Sequence, residues 1–264
     1  MRLDTYGCGC AHNCDYCYAR SLLSFRGLWN PVSPRVADLK KIRRRLNNIP
    51  AGTIVRLGGM TDCFQLCEKT YKVTYETIRE MNSRGIGYLI VTKSDLVADS
   101  KYLEILDKEL AHIQVTVTSL DDAHAGIYEK ACPPSKRIRT ILTLQEAGYD
   151  VAIRLSPLIP EFMDFEALAQ LPVKRGIVEF LRVNAWIRRW LSGVDFERYT
   201  CRQGGYCHLP LEDKQEVFKK IRIPELTICE DVTEHYQYWM EHVNPNREDC
   251  CNLRKNLPEL QIRE

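Results

Sequence analysis

The stretch YGCGCAHNCDYCYAR, residues 6–20, is the part of the sequence around which the rest of the chain is organised. Cys10, Cys14 and Cys17 follow the spacing C-x3-C-x2-C in a loop rich in small and aromatic residues, so three thiolates can turn to one side of a compact turn. Four thiolates would close a zinc site or an iron–sulfur cluster, whereas three leave one metal position open for a group that is not protein. The alternatives are a structural zinc knuckle and chance spacing among the twelve cysteines.

The composition is that of a globular protein. Of the 264 residues, 45% are hydrophobic and 27% are charged, and a net charge of +2 argues against a protein built for bulk nucleic-acid affinity. No stretch approaches the roughly 20 apolar residues that span a bilayer, and the N-terminus carries no apolar signal core. We therefore expect a cytoplasmic protein without a membrane partner. In such a chain the cysteines are expected to be reduced thiols or metal ligands rather than disulfides.

Apolar, β-branched runs alternate with amphipathic stretches along the first 185 residues. This pattern predicts strands at residues 1–6, 52–57, 87–92, 113–118, 151–156 and 177–183, and helices at 19–28, 36–46, 69–83, 102–110, 135–147 and 165–171. Strands that alternate with helices at this spacing form a parallel sheet with right-handed crossovers. The predicted fold class is therefore α/β, and six βα units fit an open, partial (β/α)6 barrel. In parallel barrels, the chemistry lies at the C-terminal ends of the strands.

The alternation of predicted strands and helices ends after residue 185. We predict a core domain at residues 1–185 and a C-terminal extension at residues 186–264 that completes the barrel and the substrate site. Within the extension, the sequence predicts a loop at 200–208, helices at 214–221 and 232–243, and one more strand at 226–229. The extension also holds cysteines for which ordinary reduced thiols are favoured over a second cluster or a zinc site: Cys201, Cys207, Cys229, Cys250 and Cys251.

The cysteine loop, with Tyr16 just before its third cysteine, resembles the signature of the radical S-adenosylmethionine (SAM) superfamily. The longer string from Gly9 to Arg20 is similar to the spore photoproduct lyase-like branch. The resemblance implies a [4Fe–4S] cluster held by the three cysteines, with SAM on the fourth iron, in a partial (β/α)6 barrel. It also implies reductive cleavage of SAM to a 5′-deoxyadenosyl radical that abstracts a substrate hydrogen. An external one-electron reductant such as flavodoxin or ferredoxin would supply the electron.

The resemblance extends to about residue 160 and implies contacts to SAM at the strand ends. Where the family has Gly-Gly-Glu, this chain has Gly58-Gly59-Met60, and the contact to the SAM amino group is therefore carried to the following Thr61 and Asp62; a plain turn is the alternative. Arg154 would contact ribose or substrate, unless it pairs with a buried carboxylate. Lys93 and Thr116 would hold the SAM carboxylate. The full predicted cofactor-binding set is Tyr16, Gly58, Gly59, Thr61, Asp62, Lys93, Thr116 and Arg154.

Substrate specificity is expected from the last strands and the extension. Asn184, Glu230 and Asp231 follow strand ends and, together with Asp62, are the predicted catalytic or substrate-contacting residues. Two adjacent acids suit a guanidine-like edge with several N–H donors, and helix capping is their alternative role. The overall size and the segments at 229–231 and 249–252 resemble queuine lyase. That resemblance implies a small-molecule substrate, a modified 7-deazaguanine base, whose C–N bond is cleaved to leave its aminomethyl-deazaguanine precursor in queuosine salvage.

Two other functions stay open at this stage. Radical chemistry on DNA or RNA is suggested by the basic face of the helix at 36–46, although a solvated helix surface is its simpler explanation. A non-catalytic iron–sulfur or zinc protein would use the loop for structure or electron transfer. Spore photoproduct lyase has a hydrogen-donating cysteine two residues before its equivalent of Thr61, where this chain has Gly59. Thymine-dimer repair by that scheme is therefore not expected.

Overall fold

A computed structural model describes residues 1–244, Cys251 and Leu253. Its strands are β1 (Arg2–Leu3), β2 (Tyr6–Gly7), β3 (Arg35–Val36), β4 (Ile54–Leu57), β5 (Gly87–Thr92), β6 (Ala111–Thr116), β7 (Asp150–Leu158), β8 (Arg175–Phe180), β9 (Cys201–Gln203), β10 (Tyr206–His208) and β11 (Glu225–Ile228). Seven of them form one parallel sheet in the order β1-β4-β5-β6-β7-β8-β11. The predicted α/β class and partial barrel are confirmed.

Helices connect the strands and pack against the sheet. They are α1 (Tyr18–Phe25), α2 (Leu39–Leu46), α3 (Glu68–Tyr71), α4 (Val73–Asn82), α5 (Ser100–Leu103), α6 (Asp122–Tyr128), α7 (Pro134–Glu146), α8 (Phe165–Ala169), α9 (Ala185–Trp190), α10 (Leu211–Phe218) and α11 (Thr233–His242). Every residue of β6 is buried, because one face of the strand meets helices and the other lies inside the barrel. None of the helices in the described part of the chain is both long enough and apolar enough to cross a membrane.

The sheet does not close within the described residues. β1 and β11 are its edges, and each has a single neighbour in the sheet. β11 comes from the predicted extension and pairs with β8, so residues beyond 185 contribute a wall of the barrel. The division into a core and an extension stays a prediction.

Several predicted element boundaries differ in the structure. Val36 lies in β3, which pairs with β2 in a small antiparallel ribbon, and α2 begins only at Leu39. The reason is Asp38, whose carboxylate caps the helix by accepting the N–H of Lys40. The helix predicted at 69–83 is two helices, because Lys72 adopts a left-handed φ of 53° between them. The predicted first strand likewise ends at Leu3.

Other local elements were missed or overextended in the sequence analysis. The helix predicted at 102–110 ends at Leu103, and Asp107 instead holds a turn by accepting two backbone N–H groups. Helix α6 was not predicted. The predicted loop at 200–208 is a hairpin of β9 and β10, in which Gly204 and Gly205 supply the two positive φ angles of a tight turn. Cys250 and most of the 249–252 segment lie outside the described residues.

Candidate active site

The three motif cysteines line one cavity at the C-terminal ends of the sheet strands. Cys10 and Cys14 are buried and Cys17 is half-buried. Burial raises the pKa of Cys10 to about 12 and that of Cys14 well above its ordinary value, because a buried thiolate loses its hydration. Binding of a metal would release these protons. In the residues that the structure describes, no group of three or more His, Cys, Asp or Glu side chains forms a site for a single metal ion. The donor set suits a four-iron cluster, which takes one thiolate per iron.

The cysteine loop is held in place from the turn that follows β4. The side-chain oxygen of Gln65 accepts the N–H of Ala11 at 3.0 Å, and its amide nitrogen donates to the carbonyl of Gly9 at 3.3 Å. Gly9 is required by a close approach, since a Cβ there would lie 1.8 Å from the carbonyl oxygen of Asn30. The loop geometry therefore depends on Gln65, more than fifty positions away in sequence.

Tyr16 connects the cysteine loop to a buried ion pair. Its hydroxyl donates to the carboxylate of Glu129, and the same carboxylate pairs with Arg137 and accepts from the hydroxyl of Thr118 at 3.2 Å. Burial raises the pKa of Tyr16 far above its ordinary value, which keeps the hydroxyl a donor. Its ring lies 5.4 Å from Nζ of Lys93. Tyr16 lines the cavity, but its hydroxyl bonds to Glu129 and positions the loop.

Asp62 is the most heavily hydrogen-bonded carboxylate of the site. It accepts from the backbone N–H of Lys93 at 2.7 Å and from the hydroxyl of Thr92 at 2.8 Å, and His12 Nε2 lies 3.0 Å away. Burial alone would raise the pKa of Asp62, but His12 and the N–H groups of Lys93 and Phe64 lower it below its ordinary value. Asp62 therefore joins the cysteine loop to the end of β5, and its contact with SAM stays a prediction.

The backbone amides of the turn after β4 are occupied within the protein. The N–H groups of Gly59 and Met60 both donate to the carboxylate of Asp4, at 2.5 and 3.0 Å. Gly58 has a φ of 76°, and a Cβ there would lie 2.6 Å from the carbonyl oxygen of Thr61, so the turn needs glycine. The Thr61 hydroxyl donates to the Tyr6 carbonyl at 2.6 Å, which leaves its lone pairs to accept from an ammonium group.

The remaining predicted cofactor contacts also line the cavity, but Arg154 is already paired. Lys93 follows β5 and Thr116 ends β6. Arg154 donates to Glu179 at 2.6 Å and to Gln114 at 2.8 Å, which is the carboxylate pairing left open as its alternative. Although burial of Glu179 favours its neutral form, Arg154 and Arg182 lower its pKa to about 2.

Of the three predicted substrate residues that follow strand ends, only Asp231 lines the cavity. Asp231 lines the cavity and pairs with Arg182 at 2.6 Å. Asn184 instead caps α9 by accepting the N–H of Ile187 at 3.0 Å, and is not among the residues lining the cavity. Glu230 is also turned away: it is 4% exposed and accepts from the ammonium of Lys214 at 2.7 Å. Their placement gives no support to a substrate contact by Asn184 or Glu230.

Several polar and charged residues of the cavity had no site role in the sequence analysis, among them Arg2, His12, Tyr18, Arg56 and Arg182. His12 stood inside the quoted motif without a role. Arg56 had a usable signal, since a charged residue between the buried Val55 and Leu57 must face the opposite side of its strand. The other positions depend on strand register and loop packing, which no local pattern encodes.

The chain is similar to a known protein family and to several known proteins. A family model described as the radical SAM superfamily matches residues 5–171. An uncharacterised protein of Methanocaldococcus jannaschii is 30% identical over 166 residues, covering 60% of each chain. An uncharacterised protein of Acidianus two-tailed virus is 25% identical over 170 residues, covering 59% of this chain and 55% of its own. The chain thus spans about three-fifths or less of these relatives' lengths.

Solved structures share the fold. A spore photoproduct lyase mutant with bound AdoMet and dinucleoside spore photoproduct superposes with a TM-score of 0.65 at 15% identity, over 86% of this chain and 75% of that one. Streptococcus suis SuiB bound to S-adenosylmethionine gives a TM-score of 0.57 at 14% identity, over 91% of this chain and 52% of its own. At such identities the likeness concerns the fold.

Proposed function

This chain belongs to the radical SAM superfamily, whose cofactors are a [4Fe–4S] cluster and SAM, and we propose that it uses them to abstract a hydrogen atom from a substrate bound at the open side of the barrel. One observation carries the proposal: the three motif cysteines, Lys93 and Thr61 line one cavity. When bound, the cofactors supply the electron transfer and the 5′-deoxyadenosyl radical that the reaction needs.

The residues of the cavity have complementary tasks in this proposal. Cys10, Cys14 and Cys17 would hold the cluster, and Thr61 would accept a hydrogen bond from the SAM ammonium. Lys93 and Thr116 would bind the SAM carboxylate, since a lysine supplies a positive charge and a threonine a donor. Asp62 would act indirectly, because its bonds fix the backbone of Lys93 relative to the cysteine loop. An external one-electron reductant is part of the same proposal, as is a reducing, cytoplasmic setting.

The test is SAM cleavage after anaerobic reconstitution with iron and sulfide. With a chemical reductant, the protein should form 5′-deoxyadenosine, and Cys14→Ala should form none. The matched control is Cys201→Ser, in the β9–β10 hairpin away from the cavity. It should keep both activity and an iron content of about four per chain, the number in one cubane. A protein that carries the cluster but yields no 5′-deoxyadenosine with any substrate offered would contradict the proposal.

The sequence suggested a lyase acting on queuine, with Glu230 and Asp231 reading the deazaguanine edge. Glu230 is buried against Lys214 and the Asp231 carboxylate pairs with Arg182, so that recognition would require the Asp231 pair to open. Queuine therefore enters the assay as one candidate substrate. Radical chemistry on a nucleotide or nucleic acid is the second candidate, and it is favoured by the arginines on the β1 and β4 side of the cavity.

A further inference from the structure

Arg2 and Arg56 occupy facing positions on neighbouring strands. They are register partners between β1 and β4, which places both side chains on the same face of the sheet, and both line the cavity. Like charges at directly opposed positions of a sheet destabilise one another. An arrangement of this kind is therefore favourable when a group of opposite charge lies between the two cations.

The other arginines of the cavity are neutralised, whereas these two are not. Arg154 and Arg182 pair with Glu179, and Arg182 also pairs with Asp231. Arg2 and Arg56 form no ion pair with any carboxylate of residues 1–244, and the buried Nε of Arg56 has no hydrogen-bond partner among the described residues. The nearby Asp4 carboxylate is occupied by the N–H groups of Gly59 and Met60.

The pair lies beside the predicted SAM-binding turn. The Arg2 side chain passes over Gly59, where a Cβ would lie 3.0 Å from Arg2 Cδ. Arg56 interacts electrostatically with the hydroxyl of Tyr18. That hydroxyl donates to the Gly59 carbonyl at 2.8 Å. A ligand between the two guanidinium groups would thus lie in the same cavity as the cysteines.

Further cationic side chains lie between this pair and the protein surface. Arg45 of α2 donates to the backbone carbonyl of Arg2 at 2.8 Å, which places the basic face of α2 next to β1. The exposed cations of that face are Lys40, Lys41, Arg43, Arg44 and Arg45, of which Arg43 pairs with Glu80. A negatively charged substrate would be attracted along this path towards the cavity.

We infer that Arg2 and Arg56 form a binding site for a phosphate group of the substrate. Guanidinium groups match phosphate because their planar forks donate two parallel hydrogen bonds to its oxygens. The inference deepens the proposed function, on which it rests, by assigning a phosphate-bearing substrate to the same cavity. A mononucleotide and a nucleic-acid backbone both present this group.

The experiment measures binding to the reconstituted protein, with SAM saturating and no reductant. Thymidine, thymidine 5′-monophosphate and a single-stranded oligothymidylate are titrated in parallel by calorimetry. The phosphate should tighten binding of the nucleotide over the nucleoside by about tenfold, and Arg56→Gln or Arg2→Gln should remove that difference. Arg56→Lys, which keeps the charge, should retain part of it. Arg222→Gln, at an exposed arginine outside the cavity, should leave it unchanged.

The three titrations distinguish the possible sources of the phosphate, and the variants distinguish failure of the phosphate site from failure of the proposed function. Oligothymidylate binding that exceeds mononucleotide binding and weakens steeply with salt identifies a nucleic-acid backbone, and equal binding identifies a small phosphorylated substrate. An equal affinity of wild-type protein for nucleoside and nucleotide would overturn the phosphate site, even if 5′-deoxyadenosine forms. Weaker SAM binding by Arg56→Gln without loss of phosphate preference would assign the pair to SAM and also overturn it. Phosphate preference without any SAM cleavage would leave the site standing and remove the proposed function.

Discussion

The imidazole of His12 lies 3.0 Å from the carboxylate of Asp62, and this contact joins the cysteine loop to the turn that follows β4. Both side chains are more than nine-tenths buried. Asp62 also accepts the backbone N–H of Lys93, so one carboxylate sets the relative positions of three predicted cofactor-binding segments. Changes at Asp62 should therefore alter the loop as well as its own surroundings.

Asp62→Asn should destabilise the protein by about 2–3 kcal/mol, because an amide NH₂ would face groups that donate hydrogen bonds to the carboxylate. The folded-state pKa of Asp62 is lowered, so its contribution is present above the unfolded-state pKa and is lost as pH falls through the folded value. Urea unfolding at several pH values measures both effects. Asp38→Asn is the control, since asparagine caps a helix as well as aspartate does. Equal stability of the two variants would contradict the role of Asp62.

Tyr16→Phe should cost about 1–2 kcal/mol, because it removes one donor from the buried Glu129 carboxylate while Arg137 and Thr118 remain. The cysteine loop should become looser. We expect faster loss of iron to a chelator, followed by the decay of visible absorbance. Tyr71→Phe, at a side chain that is 56% exposed, should lose iron at the wild-type rate. Identical rates in all three proteins would show that Tyr16 does not position the loop.

Glu179→Gln should destabilise the metal-free protein by about 3 kcal/mol at neutral pH, because it leaves the buried Arg154 without a carboxylate. The folded-state pKa of Glu179 is about 2, against roughly 4.3 when unfolded. Its contribution is therefore complete above about pH 5 and is lost as pH falls towards 2. The difference in unfolding free energy between pH 6 and pH 3 should be smaller in the variant. Glu197→Gln, at a side chain that is 91% exposed, should change stability by no more than about 0.5 kcal/mol.

Lys214→Met should cost about 3–5 kcal/mol, because Glu230 would keep a buried charge without its partner. Burial lowers the pKa of Lys214, while Glu230 opposes that shift. The double variant Lys214→Met/Glu230→Gln should lose less stability than the sum of the single changes. Denaturant unfolding of the four proteins measures the coupling. A Glu230→Gln protein with wild-type stability and a raised KM would instead support the substrate role predicted from sequence.

The sequence was most informative where a local pattern carries the structure. Strands β4 to β8 are apolar runs bounded by turns, and the cysteine spacing identified a loop that lines the cavity. The sequence did not predict the break between α3 and α4 at Lys72, because nothing in the residue type indicates that this lysine adopts a φ of 53°. Arg2 and Arg56 become partners only through the register of β1 on β4. The pairing of Glu230 with Lys214 could not be predicted, because Lys214 lies on another element, whose packing the local pattern around residue 230 does not contain.

The open barrel also has a consequence for the timing of assembly. Its edges are β1, at residues 2–3, and β11, at residues 225–228, so the cysteine loop leaves the ribosome long before the opposite wall exists. At translation rates of about 5–20 residues per second, this interval lasts on the order of 10 to 40 seconds. During that time the thiols are exposed to oxidants and stray metal ions. A cluster inserted during that time would meet the same oxidants, because the cavity that would shelter it is complete only once β11 has paired with β8.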